Sequence, residues 1–341
     1  MAFSTINKSS LYQSNVLYTG NNTGQSITGV GFQPDFIWNK ARTNTETHNV
    51  WDAVRGTGKA WVTSNAGGEQ SWSTGVTSFD SDGWTMGVLD SMNDGSVPYA
   101  SWNFKANGAG SSDSSGSAPT ATVSANTTAG FSIVKYTTGS VGAGMTVPHG
   151  LGVKPDLIIF KKLNATGNPT MYHKDAGGYL YINTNAAVTA NTTWVTATSS
   201  LVTLANTWEL YNNASSTYVM YCFAEKTGYS KFGKYVGNNS ADGPFIFTGF
   251  KPKFVMIKNT HTTTNWSITD DKRAGFNVDN DIIYANTDGA EDGSYQPIDH
   301  LSNGFKIRLN TEGYNGNGGD YIYMAFGQPI ISNSGTVATA R

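Results

Sequence analysis

The residues able to do chemistry in this chain are few and scattered. There are five histidines: His48, His149, His173, His261 and His300. No two stand at the i, i+4 spacing that lets one helix face hold a metal, and no HExxH occurs. His173-Lys174-Asp175 places a base beside an acid in sequence, but a triad is a matter of geometry, not adjacency. No G-x-S-x-G elbow and no phosphate-binding glycine loop is present. Two acidic clusters could bind a cation. In SFDSDGW, 78–84, Asp80 and Asp82 could act as ligands, but the bidentate Glu of a calcium loop is replaced by Ser91. In DNDIIYANTDGAEDG, 279–293, five acids interleave with strand residues. Asp-Gly turn formation accounts for both. Glycoside hydrolysis needs two carboxylates about 5–9 Å apart, and no acid pair recurs along the chain to suggest one. No catalytic, cofactor-binding or metal-ligating residue is therefore assigned, and the protein is expected not to be an enzyme.

Aromatic residues are the other candidates, because their faces can stack on sugars. Six of the nine tryptophans lie between Trp38 and Trp102. An internal repeat gives most of them a different meaning. Residues 29–40 (GVGFQPDFIWNK), 150–161 (GLGVKPDLIIFK) and 247–258 (FTGFKPKFVMIK) align without a gap on Pro34, Pro155 and Pro252, and each ends on a lysine: Lys40, Lys161 and Lys258. A closing strand follows in each: YASWNF at 99–104, YVMYCF at 218–223 and YIYMAF at 321–326. Their tyrosines stand 65, 63 and 69 residues after the prolines. On this alignment Trp38, Trp61, Trp72, Trp84 and Trp102 match residues that are large and apolar in the other copies, with Trp84 set against Trp208 and Phe305. These five are expected in the core. Trp51 and Trp266 align only loosely. With His48 and His261, which fall in loops, they are the candidates for surface contact; His149 is expected in a surface loop too. Asn39 stands where the other copies have Phe160 and Ile257.

The elements carrying these residues are strands. Runs of 4–8 residues rich in aromatic and β-branched types are bounded by Gly, Asn, Asp and Ser, and no 3.6-residue period is sustained. Proline at each opening fits a strand entrance, where the missing N–H does no harm. The sequence predicts an all-β protein of three tandem antiparallel β-sandwich or barrel-like modules, at 1–108, 126–228 and 229–330. A Gly/Ser/Ala-rich stretch, 109–125, reads as a flexible linker, and 331–341 as a polar tail.

Composition narrows the function. Only 13% of residues are charged, against about 25% in ordinary domains, and the net charge is −2. Without a cationic run, nucleic-acid binding is not expected. The single Cys222 cannot form an intramolecular disulfide and is expected in the core. No apolar run reaches the length of a membrane helix, and Met1–Thr5 lacks the pattern of a signal peptide, so assembly in a cytoplasm is expected.

The openings GVGFQPDFIW, GLGVKPDLIIFKK and TGFKPKFVMIK, with YVMYCFAEKTGYSKFGKYVGNNSADGPFIFTGF and DYIYMAFGQPI, resemble a family of uncharacterised repeat proteins of marine tailed bacteriophages. The likeness spans residues 5–330. It implies a non-enzymatic virion protein, assembled in the host cytoplasm and carrying no cofactor. Its partners would be other virion proteins and a host surface glycan or receptor. By analogy with phage appendages it would form a homo-oligomer, a trimer. A tail fibre or appendage contacting the host is the leading expectation. Capsid decoration is the alternative within that class, and a polysaccharide-degrading enzyme the alternative outside it. The polar ends, Met1–Gln13 and 332–341, would serve as docking arms.

Overall fold

A computed structural model describes residues 4, 6–139, 144–205, 211–273 and 281–329. They form an all-β protein of six antiparallel sheets, none of which closes into a barrel. Three sheets are large. The first runs, edge to edge, Gln13–Thr19, Pro98–Phe104, Phe36–Ala41, Asn49–Asp52, Lys59–Val62 and Gln70–Ser71. The second runs Ser111–Ser112, Thr120–Asn126, Phe131–Thr137, Thr217–Phe223, Leu157–Lys162, Thr170–His173, Gly178–Tyr181 and Thr189–Ala190. The third runs Ser230–Val236, Asp320–Pro329, Phe250–Asn259, Ser267–Asp270 and Ile283–Tyr284. In each, the closing strand lies between the strand that enters the segment and the strand of the aligned opening, which in the third sheet contains Pro252 itself.

Each large sheet is backed by a three-stranded one. These are Gln25–Ile27, Gly83–Met86 and Val76–Asp80; Met145–Pro148, Leu201–Leu204 and Val195–Ala197; and Phe245–Phe247, Gly304–Ile307 and Ile298–Leu301. This layering explains why the strands after the prolines are almost continuously apolar, since a strand buried on both faces has no polar side to show. Phe36 and Trp38, Leu157 and Ile159, and Phe254 and Met256 face a core shared by all three large sheets. Their neighbours Ile37, Ile158 with Phe160, and Val255 with Ile257 face the local three-stranded sheet.

The shared core is one continuous aromatic cluster. The aligned closing runs 99–104, 218–223 and 321–326 end on Phe104, Phe223 and Phe326, and these rings touch one another, with centroids 6.0, 4.9 and 5.9 Å apart. Each is at most 2% exposed. The segments 1–108, 126–228 and 229–330 are thus wrapped around one centre rather than strung out in a row.

Three expectations are corrected here. The stretch 109–125 is not a free linker. Thr120–Asn126 pairs with Phe131–Thr137 over seven residues, and the N–H groups of Ser117 and Ala118 donate to the Thr146 carbonyl. Its Gly and Ser content hides a short Thr-Ala-Thr-Val alternation that suffices for an edge strand. Residues 6–13 are not a free arm: Ile6 is buried in the shared core, and Ser9 Oγ donates to Gln328 Oε1 at 2.8 Å. The tail 331–341 lies outside the described residues, as does Trp208. The strand that takes the place of Gly83–Met86 in the second segment is Leu201–Leu204, so Val202 pairs with Val147 as Trp84 pairs with Ile27. Likewise Val195, Val76 and Ile298 pair with Leu204, Met86 and Ile307. Trp194, which aligning large residues sets against Trp72, therefore occupies the place of Gly75 instead. The Trp51 ring fills that space in the first segment, where a Cβ on Gly75 would lie 1.9 Å from it.

Candidate functional site

Of the four surface candidates, only His261 is exposed, with 71% of its side chain accessible and Nδ1 4.0 Å from the Asp320 carboxylate. Trp51, Trp266 and His48 are buried. Trp51 packs beside Trp72, the two rings tilted at 54°, in the core between the first large sheet and its backing sheet. His48 and Trp266 hold equivalent positions at two contacts between segments. The His48 Nε2 lies 3.1 Å from the Tyr284 carbonyl, and Trp266 Nε1 donates to the Tyr181 carbonyl at 3.0 Å. Burial keeps the His48 pKa well below its ordinary value, with the Lys40 charge adding to the effect. His149, also expected at the surface, is buried, with Nε2 3.3 Å from the Thr198 carbonyl. Loop position alone did not reveal that these rings satisfy backbone groups that the packing hides from water. Cys222 is buried, and burial pushes its thiol up, away from the reactive thiolate.

The polar chemistry of the molecule gathers at the three seams between segments, and it runs in one rotational sense. At the first–second seam, Trp61 Nε1 donates to Tyr221 Oη at 2.9 Å, and Tyr221 donates to Asp52 Oδ2 at 2.7 Å. Asp52 also accepts from Arg55, and both side chains are fully buried. At the third–first seam, Trp102 Nε1 donates to Asp270 Oδ2 at 2.9 Å, and Arg273 Nε donates to the same oxygen at 2.7 Å. Burial opposes the Asp270 charge, but Arg273 beside it and the bond from Trp102 hold its pKa below the usual value. At the second–third seam the equivalent position is His173, whose Nε2 lies 3.2 Å from the Tyr323 carbonyl.

Backbone bonds repeat this sense. Glu69 N–H donates to Leu163, Val188 to Thr260 and Glu291 to Arg42, and each acceptor stands eight residues after its segment's aligned proline. The lysines that end the aligned openings brace the loops involved. Lys40 Nζ donates to the Ala41 carbonyl, Lys161 to Gly167, and Lys258 to Asn259 and Asn185. Burial lowers their pKa values to about 8, 7 and 8. The sequence marked these lysines by recurrence, but not their partners.

The acidic stretches serve turns and seams. Asp82 accepts from the N–H groups of Gly29 and Gly31, and Asp80 from Thr85. Glu291 and Asp281 pair with Arg42 across the third–first seam. Asp279 lies outside the described residues. Among the described residues, no group of three or more His, Cys, Asp or Glu side chains is placed to hold a metal ion. No helix among them is long and apolar enough to cross a membrane.

One open groove of ≈ 770 Å³ lies on the first segment, lined by Trp72, Glu46, Asp90, Asn65, Gln70 and Val88 among others. Trp72 is half-buried, and its backbone is fixed by bonds to Gly58 and Gly75. Burial, and then the Asp90 charge, raises the Glu46 pKa. The groove thus brings together one fixed aromatic ring and two carboxylates.

Residues 8–329 match the family described as Domain of unknown function (DUF7483). The chain belongs to that family. No curated protein and no solved structure matches it.

Proposed function

We propose that this member of the family is a structural protein of a bacteriophage virion. In this reading it is a tail fibre or appendage that contacts the host surface, built from three copies of one β-sandwich module closed head to tail. The observation that carries the proposal is the cyclic closure: equivalent residues make equivalent bonds at all three seams, around Phe104, Phe223 and Phe326. Such an arrangement invests the chain's polar chemistry in rigidity. A particle surface protein needs that property, and the resemblance to marine phage repeat proteins agrees with it.

The partners in this reading are other virion proteins and a host surface glycan or receptor. The homotrimer expected by analogy is not required to bury the central core, because the seams close within one chain. Sedimentation at three times the 36.4 kDa chain mass is the outcome the homotrimer predicts, and a 36.4 kDa species would replace it with a monomer.

Antibody labelling of assembled virions tests the role. Label at the tail tip is expected. Label spread over the head would replace the fibre with a capsid decoration, and unlabelled particles would overturn the virion assignment. A second reading is favoured by one observation: Glu46 and Asp90 line the same groove, the pair of carboxyl groups that glycoside hydrolysis requires. Release of reducing ends from host polysaccharide, abolished in Glu46→Gln, would establish a hydrolase instead.

A further inference from the structure

The groove on the first segment holds chemistry that the other segments lack at the same places. Glu46 stands twelve residues after Pro34, and the matching positions are Gly167 and Thr264. Those two residues are spent on seams: Gly167 N–H donates to the Ala66 carbonyl and Thr264 N–H to that of Asn185. Glu46 N–H turns back to Asn44 in its own loop, and its side chain lines the groove instead. Asp90 opens the four-residue helix Asp90–Asn93. Its carbonyl accepts from Tyr99 as the Glu312 carbonyl accepts from Tyr321, which anchors the helix, and exposed Asp90 lines the groove. Neither the Glu46 nor the Asp90 carboxylate has a hydrogen bond or ion pair among the described residues, and the Trp72 indole N–H has no hydrogen-bond partner there.

Trp72 is held as a platform. Its ring leans on the buried Trp51 at a centroid distance of 6.2 Å, so its stacking face is set before any ligand arrives. Val88, 48% exposed, extends the apolar floor. An aromatic face beside unpaired carboxylates suits a ligand with apolar C–H faces and hydroxyl donors at its rim. That is the amphipathic surface of a sugar ring, and preorganisation lowers the entropy cost of binding it. The local charge selects among sugars. Asp90, Asp94 and Asp288 add negative charge near Glu46, and the Lys40 charge that opposes them is buried, its amine bonded to the Ala41 and Asn44 carbonyls. An anionic ligand would be repelled by like charges across the groove.

We propose that this groove binds an uncharged hexose chain, one sugar stacked on Trp72 and its hydroxyls donating to Glu46 and Asp90, and that it rejects acidic polysaccharides. The proposal rests on the host-contact reading and names the class of glycan at that surface.

Titration calorimetry of the full chain with three probes tests it: a neutral glucose hexamer, an N-acetylglucosamine hexamer and a uronic acid hexamer. At least one neutral probe is expected to bind, and the uronic acid probe not to. Trp72→Ala is expected to weaken binding by at least about tenfold, the scale of an aromatic anchor. Should Trp72→Ala disturb the fold, Asp90→Asn and Glu46→Gln alter only groove-lining carboxylates and should each weaken binding several-fold. Preference for the uronic acid hexamer, no binding of either neutral probe, or unchanged affinity in Asp90→Asn and Glu46→Gln would overturn the groove assignment. Competition with phage adsorption keeps the two readings apart. Protein that blocks adsorption without binding either neutral probe loses only the groove. Protein that binds sugar through Trp72 but never competes loses the host-contact role.

Discussion

The first–second and second–third seams occupy equivalent places yet are built from different chemistry. In the first, a buried carboxylate, Asp52, is held between Arg55 and the hydroxyl of Tyr221. In the second, His173 meets a main-chain carbonyl with a neutral ring, and the residue matching Tyr221 is Met324. The difference teaches that the fold requires a satisfied polar contact at this position, not a particular charge. A buried ion pair fulfils that need only while both partners are present, because removing one leaves the other charged and dry. A neutral ring has no such dependence at ordinary pH.

The comparison can be broken most directly by truncation. Asp52→Ala leaves the buried Arg55 with Glu69, 3.5 Å away, as its remaining counter-charge and should cost about 3 kcal/mol, the low end for a broken buried pair. His173→Ala removes two neutral hydrogen bonds, to the Tyr323 carbonyl and from the Asp175 N–H, and should cost about 1–3 kcal/mol. Equal losses in urea unfolding would show that charge does not distinguish the seams.

The second seam has its own weakness in acid. Burial pushes the His173 pKa down to about 4, with the nearby Lys174 charge adding to it against the Tyr323 bond. The unfolded chain takes up a proton near pH 6.5 that the folded chain refuses until about pH 4. Stability from this residue is therefore lost as pH falls through that window, by about 3 kcal/mol in all. His173→Asn keeps a donor for Tyr323 and should flatten the pH dependence of melting there. An unchanged slope would show that His173 is not what titrates.

Tyr221→Phe removes the hydroxyl that joins Trp61 to Asp52 without opening a cavity. It should cost about 1–3 kcal/mol, additive with His173→Asn because the seams share no partner. Strong coupling would mean that the seams act as one unit through the Phe104–Phe223–Phe326 cluster.

The smallest effect belongs to the rim. Lys174 pairs with Asp156 and Glu225 near the second–third seam, 30% exposed. Lys174→Met should change stability by no more than about 1 kcal/mol, and the change should vanish in high salt.

Much of this was legible in one dimension. The aligned openings and closing strands were placed correctly as strands, because a strand buried on both faces must be written in apolar residues. The burial of Trp38, Trp61 and Trp102 followed from their being large in every copy; Trp84 is buried although Val202 takes its place in the second segment, and Trp72, expected in the core with them, is only half-buried. Less was legible where copies differ by compensation. The exchange of Trp51 against Gly75 for Tyr172 beside Trp194 cannot be seen by aligning large residues with large ones, since the bulk moves from one strand to its neighbour. The groove was equally hidden. Glu46 and Asp90 are 44 positions apart and neither belongs to a motif.

By itself, the sequence determined the strands, their apolar faces and the threefold recurrence of proline, lysine, tyrosine and phenylalanine, because these follow from local period and composition. Only the tertiary structure decided that the segments close on one another in a ring. That closure depends on which side chain of one segment meets which backbone group of the next. The pairings of Trp61 with Tyr221 and of Trp102 with Asp270 span 160 and 168 residues, and no local pattern encodes them.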